Sequence, residues 1–218
     1  METPRRHLFT IGYAPHTPDT FLALLRLHGV DVVADVRSVP FSARKPEFNR
    51  DQLQRLLATQ GISYVFLGDQ LGARCLDPAA VVDGRVDYER VAELPNFRNG
   101  LDRLRQGMDR YSVTLMCAEQ DPLGCHRTIL VCRHLRQDTD IQHILADGSL
   151  EPHGQLETRL IKLFQLDQLT LPGLKAKKAS PLLEAYRRQS LNIAHRLDPA
   201  EPGEQPLGAA RNALGGPE

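Results

Sequence analysis

The apolar positions along the chain switch repeatedly between a strand-like and a helix-like period. Five short runs have no helical spacing: HLFTIG (His7–Gly12), VDVVADVR (Val30–Arg37), ISYVFLG (Ile62–Gly68), SVTLMC (Ser112–Cys117) and IQHILAD (Ile141–Asp147). In the second, Val30, Val32, Val33, Ala34 and Val36 make an almost unbroken apolar row, as expected of a strand covered on both faces. Between the runs the period lengthens. Thr17–His28 places Phe21, Leu24, Leu25 and His28 on one helical face, with Thr17 as cap, Pro18 in the first turn and Gly29 as the stop. Asn49 is expected to cap a helix over Arg50–Gln60 that buries Leu53, Leu56 and Leu57 and ends at Gly61. Asp87–Glu93, Pro95–Asp109, Leu123–Arg136 and Gln155–Phe164 also read as helices. Two stretches resist either period. Pro40–Phe48, with two prolines, reads as a loop carrying Arg44 and Lys45, and Asp69–Asp87, with Gly72, Pro78 and Gly84, as a flexible loop or lid.

Strand alternating with helix five times predicts an α/β, Rossmann-like three-layer fold with a mostly parallel sheet of about five strands, spanning residues 7–165. After Asp167 the texture changes. Leu169–Pro181 is linker-like and basic, Leu182–Arg196 fits one helix, and Pro199–Glu218 has little to bury, so 166–218 is expected to be a basic helical extension with a disordered tail. Lys162, Lys175, Lys177, Lys178, Arg187, Arg188 and Arg196 could follow a phosphate backbone or form a solvated face.

Ligands of open parallel sheets bind beyond the carboxyl ends of the strands. Those ends carry Gly12 and Tyr13, then Asp35 and Arg37, then Cys117 and Glu119, and the helix after the fourth strand offers Cys125, His126 and Arg127 from its start. Cys125, beside His126 and Arg127, is a candidate nucleophile or redox thiol, or a small residue filling space between helix and sheet. Cys117 faces either the pocket or a helix, and a reversible Cys117–Cys125 disulfide is conceivable. Glu119 reads as a general acid or base raised by burial, or as a loop carboxylate lowered by Arg37 or Arg127. Asp35 is either catalytic or paired with Arg37. Arg37 and Arg127 with the helix start make an anion site, and Tyr13 could stack on or hydrogen-bond a substrate. No G-x-G-x-x-G follows the first strand and no P-loop occurs. The C-x7-C-H run lacks the paired spacing of structural zinc sites and no second Cys/His cluster completes it, so no metal is expected, nor any other cofactor.

Lys and Arg total 27, as do Asp and Glu, which removes the overall positive field of a protein that coats nucleic acid. No apolar run approaches a bilayer span, and four cysteines are too few for a disulfide scaffold, so a soluble cytoplasmic protein with free thiols and no membrane partner is expected.

TIGYAPHTPDTFLALL, DVVADVRSVPFSARKPEF, GISYVFLGDQLGA and LMCAEQDPLGCHR resemble the bacterial and archaeal family called domain of unknown function 488, over about His7 to Phe164. The family pattern is similar to T-I-G-Y/H-S, D-V-R-x-x-P-x-S, Y-x-x-L-x-x-L-G-G and C-x-E-x5-C-H-R, with Ala14 and Ala73 as departures here. The resemblance implies that Gly12, Tyr13, Asp35, Arg37, Ser42, Cys117, Glu119, Cys125, His126 and Arg127 belong to a shared set, and implies no activity. The residue types suggest an enzyme, hydrolase- or transferase-like, acting on a phosphate- or carboxylate-bearing small molecule or nucleic acid. The alternatives are a non-catalytic nucleotide or nucleic-acid binding module and a thiol redox sensor.

Overall fold

In chain order the elements of the computed structural model are β1 (Arg6–Gly12), α1 (Pro18–Leu27), β2 (Val32–Asp35), α2 (Arg50–Ala58), β3 (Ser63–Phe66), α3 (Gly68–Leu71), β4 (Val81–Val82), β5 (Arg85–Val86), α4 (Tyr88–Glu93) and α5 (Pro95–Met108). They continue with β6 (Val113–Cys117), a π-helix (Arg127–Cys132) running into α6 (Arg133–Leu135), β7 (Thr139–Ile144), β8 (Leu150–Pro152), α7 (His153–Leu163) and α8 (Pro181–Ile193). The structure describes residues 6–169 and 180–197. Lys175, Lys177, Lys178 and the tail Pro199–Glu218 lie outside the described residues.

Six strands form one sheet in the order β3-β2-β6-β1-β7-β8, parallel except for the β7–β8 pair. The expected five parallel strands are present, and β8 adds an antiparallel edge. Side chains alternate across the sheet. Phe9, Ile11, Val33 and Met116 meet Phe21, Leu25, Leu53 and Leu57 of α1 and α2 on one face. On the other, Leu8, Ala34, Leu115 and Cys117 meet Leu101 and Leu104 of α5, Ile129 and Leu130 of the π-helix, Leu156 and Leu160 of α7, and Tyr186 of α8. Each such fully buried side chain contributes on the order of 1.5–3 kcal/mol, so the two apolar layers are the main stabilising term.

Local expectations hold at α1. Thr17 Oγ1 accepts from Thr20 N at 3.3 Å, and Gly29 stops the helix at φ +61°, where a side chain would be strained. Asn49 does not cap α2, because its Oδ1 is taken by the Ser42 amide at 2.6 Å and so orders the preceding loop instead. The stretch expected as a lid holds α3, a 3-10 turn at Pro78–Ala80 and the β4–β5 hairpin, with Leu71 and Ala80 in the core. Gly100 of α5 permits this, since a Cβ there would meet Leu71 Cδ2 at 2.8 Å.

The expected regular helix over Leu123–Arg136 is broken. Pro122–Gly124 is a 3-10 turn whose Asp121 side chain accepts from Leu123 N at 3.0 Å, and the π-helix begins at Arg127. Cys125 and His126 occupy the joint, and such π segments gather at functional sites.

The C-terminal helix is part of the core. Tyr186 is fully buried, and Gln189 Nε2 donates to Leu123 O at 2.7 Å, tying α8 to the turn before Cys125. Beyond it, Val86 N donates to His195 O at 3.0 Å and Leu197 N to Gly84 O at 2.8 Å. Arg187 and Arg188 are both spent on Glu184, at 2.8 and 2.7 Å, as a solvated face would have it.

Candidate functional site

Because β6 lies between β1 and β2, it brings its carboxyl end to the middle of the sheet. Cys117 is level with Gly12, and Met116 with Asp35. Alternation from Val113 through Leu115 turns Cys117 to the face that carries the π-helix, which decides the orientation left open above. The 3-10 turn then folds the chain back so that Cys125 and His126 arrive beside it.

Four side chains meet there. Glu119 Oε2 accepts from both thiols, Cys117 Sγ and Cys125 Sγ, at 3.0 Å each. His126 Nδ1 faces the same sulfurs at 3.7 Å and 4.0 Å. On its far side His126 Nε2 lies 2.9 Å from the Val36 carbonyl, an oxygen that can only accept, so Nε2 carries the hydrogen. Both sulfurs and the imidazole are buried, whereas Glu119 is an exposed residue whose carboxylate reaches inward. All four cysteines are free thiols.

The electrostatics follow from this enclosure. Burial opposes ionisation of Cys125, but the thiol of Cys117 and the positive charges of Arg127 and His126 outweigh it and hold Cys125 well below the ordinary thiol range. Cys117 moves the other way, through its hydrogen bond to Cys125 and its own burial. Burial, then the negative charge of Cys125, raises Glu119 above the ordinary carboxylate range. Its carboxylate pairs with neither Arg37 nor Arg127, so neither guanidinium offsets the effect of burial. The pair of thiols therefore holds one readily ionised sulfur.

Arg37 is 5% exposed and clamped. Its Nε and Nη2 donate to Asp35 at 2.9 and 2.6 Å, Nη2 also reaches Phe48 O at 2.9 Å, and its carbon lies 5.0 Å from the Tyr13 ring centre. Asp35 also accepts from Tyr64 Oη at 2.8 Å, so it is wholly occupied in holding Arg37. Nη1 of Arg37 is buried with no partner. Tyr13, Arg37, Ser38, Phe41, Arg74, Cys117, Glu119 and His126 line a cleft of about 270 Å³. A larger hollow of about 870 Å³ lies between the β4–β5 hairpin and Arg196, but it holds no thiol or histidine, and the chemistry points to the smaller cleft.

Other expected site residues fall elsewhere. Arg127 is fully buried and does not join Arg37 in a fork; it donates to the carbonyls of Glu119 at 2.7 Å and Gln120 at 3.3 Å, bracing the loop from behind. At Gly12 the chain passes so close to the Glu119 main chain that there is no room for a Cβ. Ser42 Oγ accepts from Lys45 N at 3.1 Å and organises its own loop. Cys125 is buried and is not among the residues that line the cleft. Tyr88 was not expected. Its phenol is buried without a partner, and burial followed by the charges of Cys125, Cys117 and Glu119 raises it far above the ordinary value. Nothing in a lone tyrosine at the start of α4 signals that position.

In the sequence, Cys117, Cys125 and His126 lack an evident further ligand for zinc. The fold supplies donors from within the same run, since one ligand atom from each of Cys117, Glu119, Cys125 and His126 falls within 4.8 Å of the others.

A family model described as Domain of unknown function DUF488 matches residues 17–133. The chain belongs to this family. The DUF488 match includes Asp35, Arg37 and the whole Cys117–Arg127 run, and stops short of Gly12 and Tyr13. No curated protein and no solved structure matches the chain. Among the described residues no helix is long and apolar enough to cross a membrane.

Proposed function

We propose that this DUF488 protein is an enzyme, hydrolase- or transferase-like, acting on a phosphate- or carboxylate-bearing substrate in the cleft over Cys117. The observation that carries the reading is Arg37. Two of its nitrogens are fixed by Asp35 and Phe48, while Nη1 is buried without a hydrogen-bond partner in a residue that lines the cleft. An unpaired guanidinium N–H is costly unless an anion completes it. Glu119, raised by burial, is suited to give or take a proton at the reacting atom. Four free cysteines support a reducing, cytoplasmic setting.

The test is a thermal-shift panel of phosphates, nucleotides and carboxylates, followed by turnover assays on the hits. A hit should raise the melting temperature of the wild type and of Glu119→Gln, lose affinity roughly tenfold or more in Arg37→Lys, and be turned over only by the wild type. Undiminished binding by a folded Arg37→Lys protein, or full turnover by Glu119→Gln, sinks the assignment.

One observation favours the non-catalytic alternative. Phe41 is 64% exposed at the cleft lip with Arg74 nearby, an arrangement suited to stacking a base beside a phosphate. That reading predicts salt-sensitive nucleotide binding, weakened by Phe41→Ala and indifferent to Glu119→Gln.

A further inference from the structure

We infer that Cys117, Cys125, His126 and Glu119 form a binding site for a zinc ion at the floor of the cleft. The inference stands on the donor geometry and does not require the protein to be an enzyme.

Two sulfurs, one imidazole nitrogen and one carboxylate oxygen are the donor set of a tetrahedral zinc site, and too soft for magnesium or calcium. Zinc–sulfur bonds of about 2.3 Å and zinc–nitrogen or zinc–oxygen bonds of about 2.0–2.2 Å put neighbouring donors roughly 3.5–3.8 Å apart in a tetrahedron. The sulfurs lie 3.7 and 4.0 Å from His126 Nδ1 and 3.0 Å from Glu119 Oε2. The carboxylate has to retreat by about half an ångström and Cys125 to close on His126 by about 0.2 Å, and the carboxylate belongs to the one exposed residue of the four.

Three neighbours independently suit a metal. The Val36 carbonyl takes the Nε2 hydrogen of His126 at 2.9 Å, which is the outer hydrogen bond that fixes the tautomer of a metal-binding histidine and leaves Nδ1 as the donor. Arg127 is fully buried, yet its guanidinium donates to neutral oxygens, the carbonyls of Glu119 and Gln120 and the Thr10 hydroxyl. A buried cation needs negative charge nearby. On binding, any proton still held by the two sulfurs is lost to solvent; two thiolates and a carboxylate around a divalent ion leave one net negative charge, which Arg127 balances. Finally, the buried Tyr88 hydroxyl is an unpartnered donor within electrostatic reach of Cys125, Cys117 and Glu119.

The experiment uses the full chain without a polyhistidine tag. After equilibration with micromolar Zn²⁺ and dialysis, elemental analysis should find one zinc per chain, and Co²⁺ in its place should give a thiolate-to-metal charge-transfer band with the intense visible bands of four-coordinate cobalt. The double variant Cys117→Ser/Cys125→Ser should lose both signals. Glu119→Gln, altered at the exposed mouth, should keep the charge-transfer band and weaken Zn²⁺ roughly 10–100-fold. The site is refuted if the wild type takes up no stoichiometric zinc, if bound cobalt shows no thiolate charge transfer, or if the double variant binds as well as the wild type. Should the double variant fail to fold, the wild-type cobalt spectrum decides. None of these readouts involves turnover, so an absent activity and an absent metal remain separable.

Discussion

The main-chain carbonyl of Glu119 occupies the space that a side chain at Gly12 would need: a Cβ there would come within 1.8 Å of it. The contact is backbone against backbone, so no rotamer can relieve it. Gly12→Ala should lower stability by about 1–3 kcal/mol, the usual cost of overpacking, and push Glu119 away from the two thiols. Denaturant unfolding measures the first effect and loss of anion or Zn²⁺ affinity the second; an unaltered protein would mean that the loop yields freely.

Stability should fall in mild acid because of a buried histidine pair. His143 Nδ1 is bonded to Thr10 Oγ1 at 2.8 Å and its Nε2 to His153 Nδ1 at 3.0 Å, while His153 Nε2 meets Tyr186 Oη at 3.0 Å and Glu157 at 3.5 Å. Burial, then the charge of Arg136, holds His153 down to about 4; burial, then His153, Arg127 and Arg159, holds His143 well below its ordinary value. In the unfolded chain both take protons near 6.5, so the unfolded state binds more protons across this window. Stability is therefore full above that value and declines as the pH drops toward 4, by about 3 kcal/mol for His153 alone. Urea titrations at about pH 7.5, 6 and 5 read the slope, and His153→Gln should flatten it.

Tyr186 joins the C-terminal helix to that histidine pair. Tyr186→Ala should cost about 3–5 kcal/mol, as for other large buried aromatic truncations, whereas Tyr186→Phe should cost about 1 kcal/mol by removing a single hydroxyl. Melting curves for the two variants separate packing from hydrogen bonding. Equal losses would contradict the buried position of the ring.

Tyr88→Phe should behave in the opposite sense. Its hydroxyl is buried without a partner, so removing it from the ion-free protein should leave the melting temperature unchanged or higher. A loss above about 1 kcal/mol would reveal a partner for the phenol.

Much of the architecture is legible in the chain because Thr17, Pro18 and Gly29 frame a helix by local chemistry alone, and Val32–Val36 can only be a covered strand. What escaped depends on distant partners. Asn49 looks like a cap until Ser42 claims its side chain, and β8, three residues long, offers too little pattern to be seen. The sequence shows a helix at the C-terminus but not that Tyr186 is core, since one aromatic among arginines gives no period. At the site, the spacing of Cys117, Glu119, Cys125 and His126 is plain, whereas their convergence requires the 3-10 turn and the π-helix, which no propensity signals. Arg127 at a helix start next to Arg37's strand end has the pattern of an anion ligand; only the fold shows that it is fully buried and turned onto the Glu119 and Gln120 carbonyls.

The sheet order has a consequence for how the molecule is made. β1 and β2 each pair with β6 and not with each other. A nascent chain released no farther than residue 110 thus carries two hydrophobic ribbons with no central rung to join them, and both would be open to adventitious partners on the ribosome. Assembly must wait for Val113–Cys117 to emerge, a long loop closure that predicts slow, chaperone-sensitive folding. The strand that completes the scaffold also delivers the first sulfur, so the cluster of Cys117, Glu119, Cys125 and His126 is born only when the sheet closes.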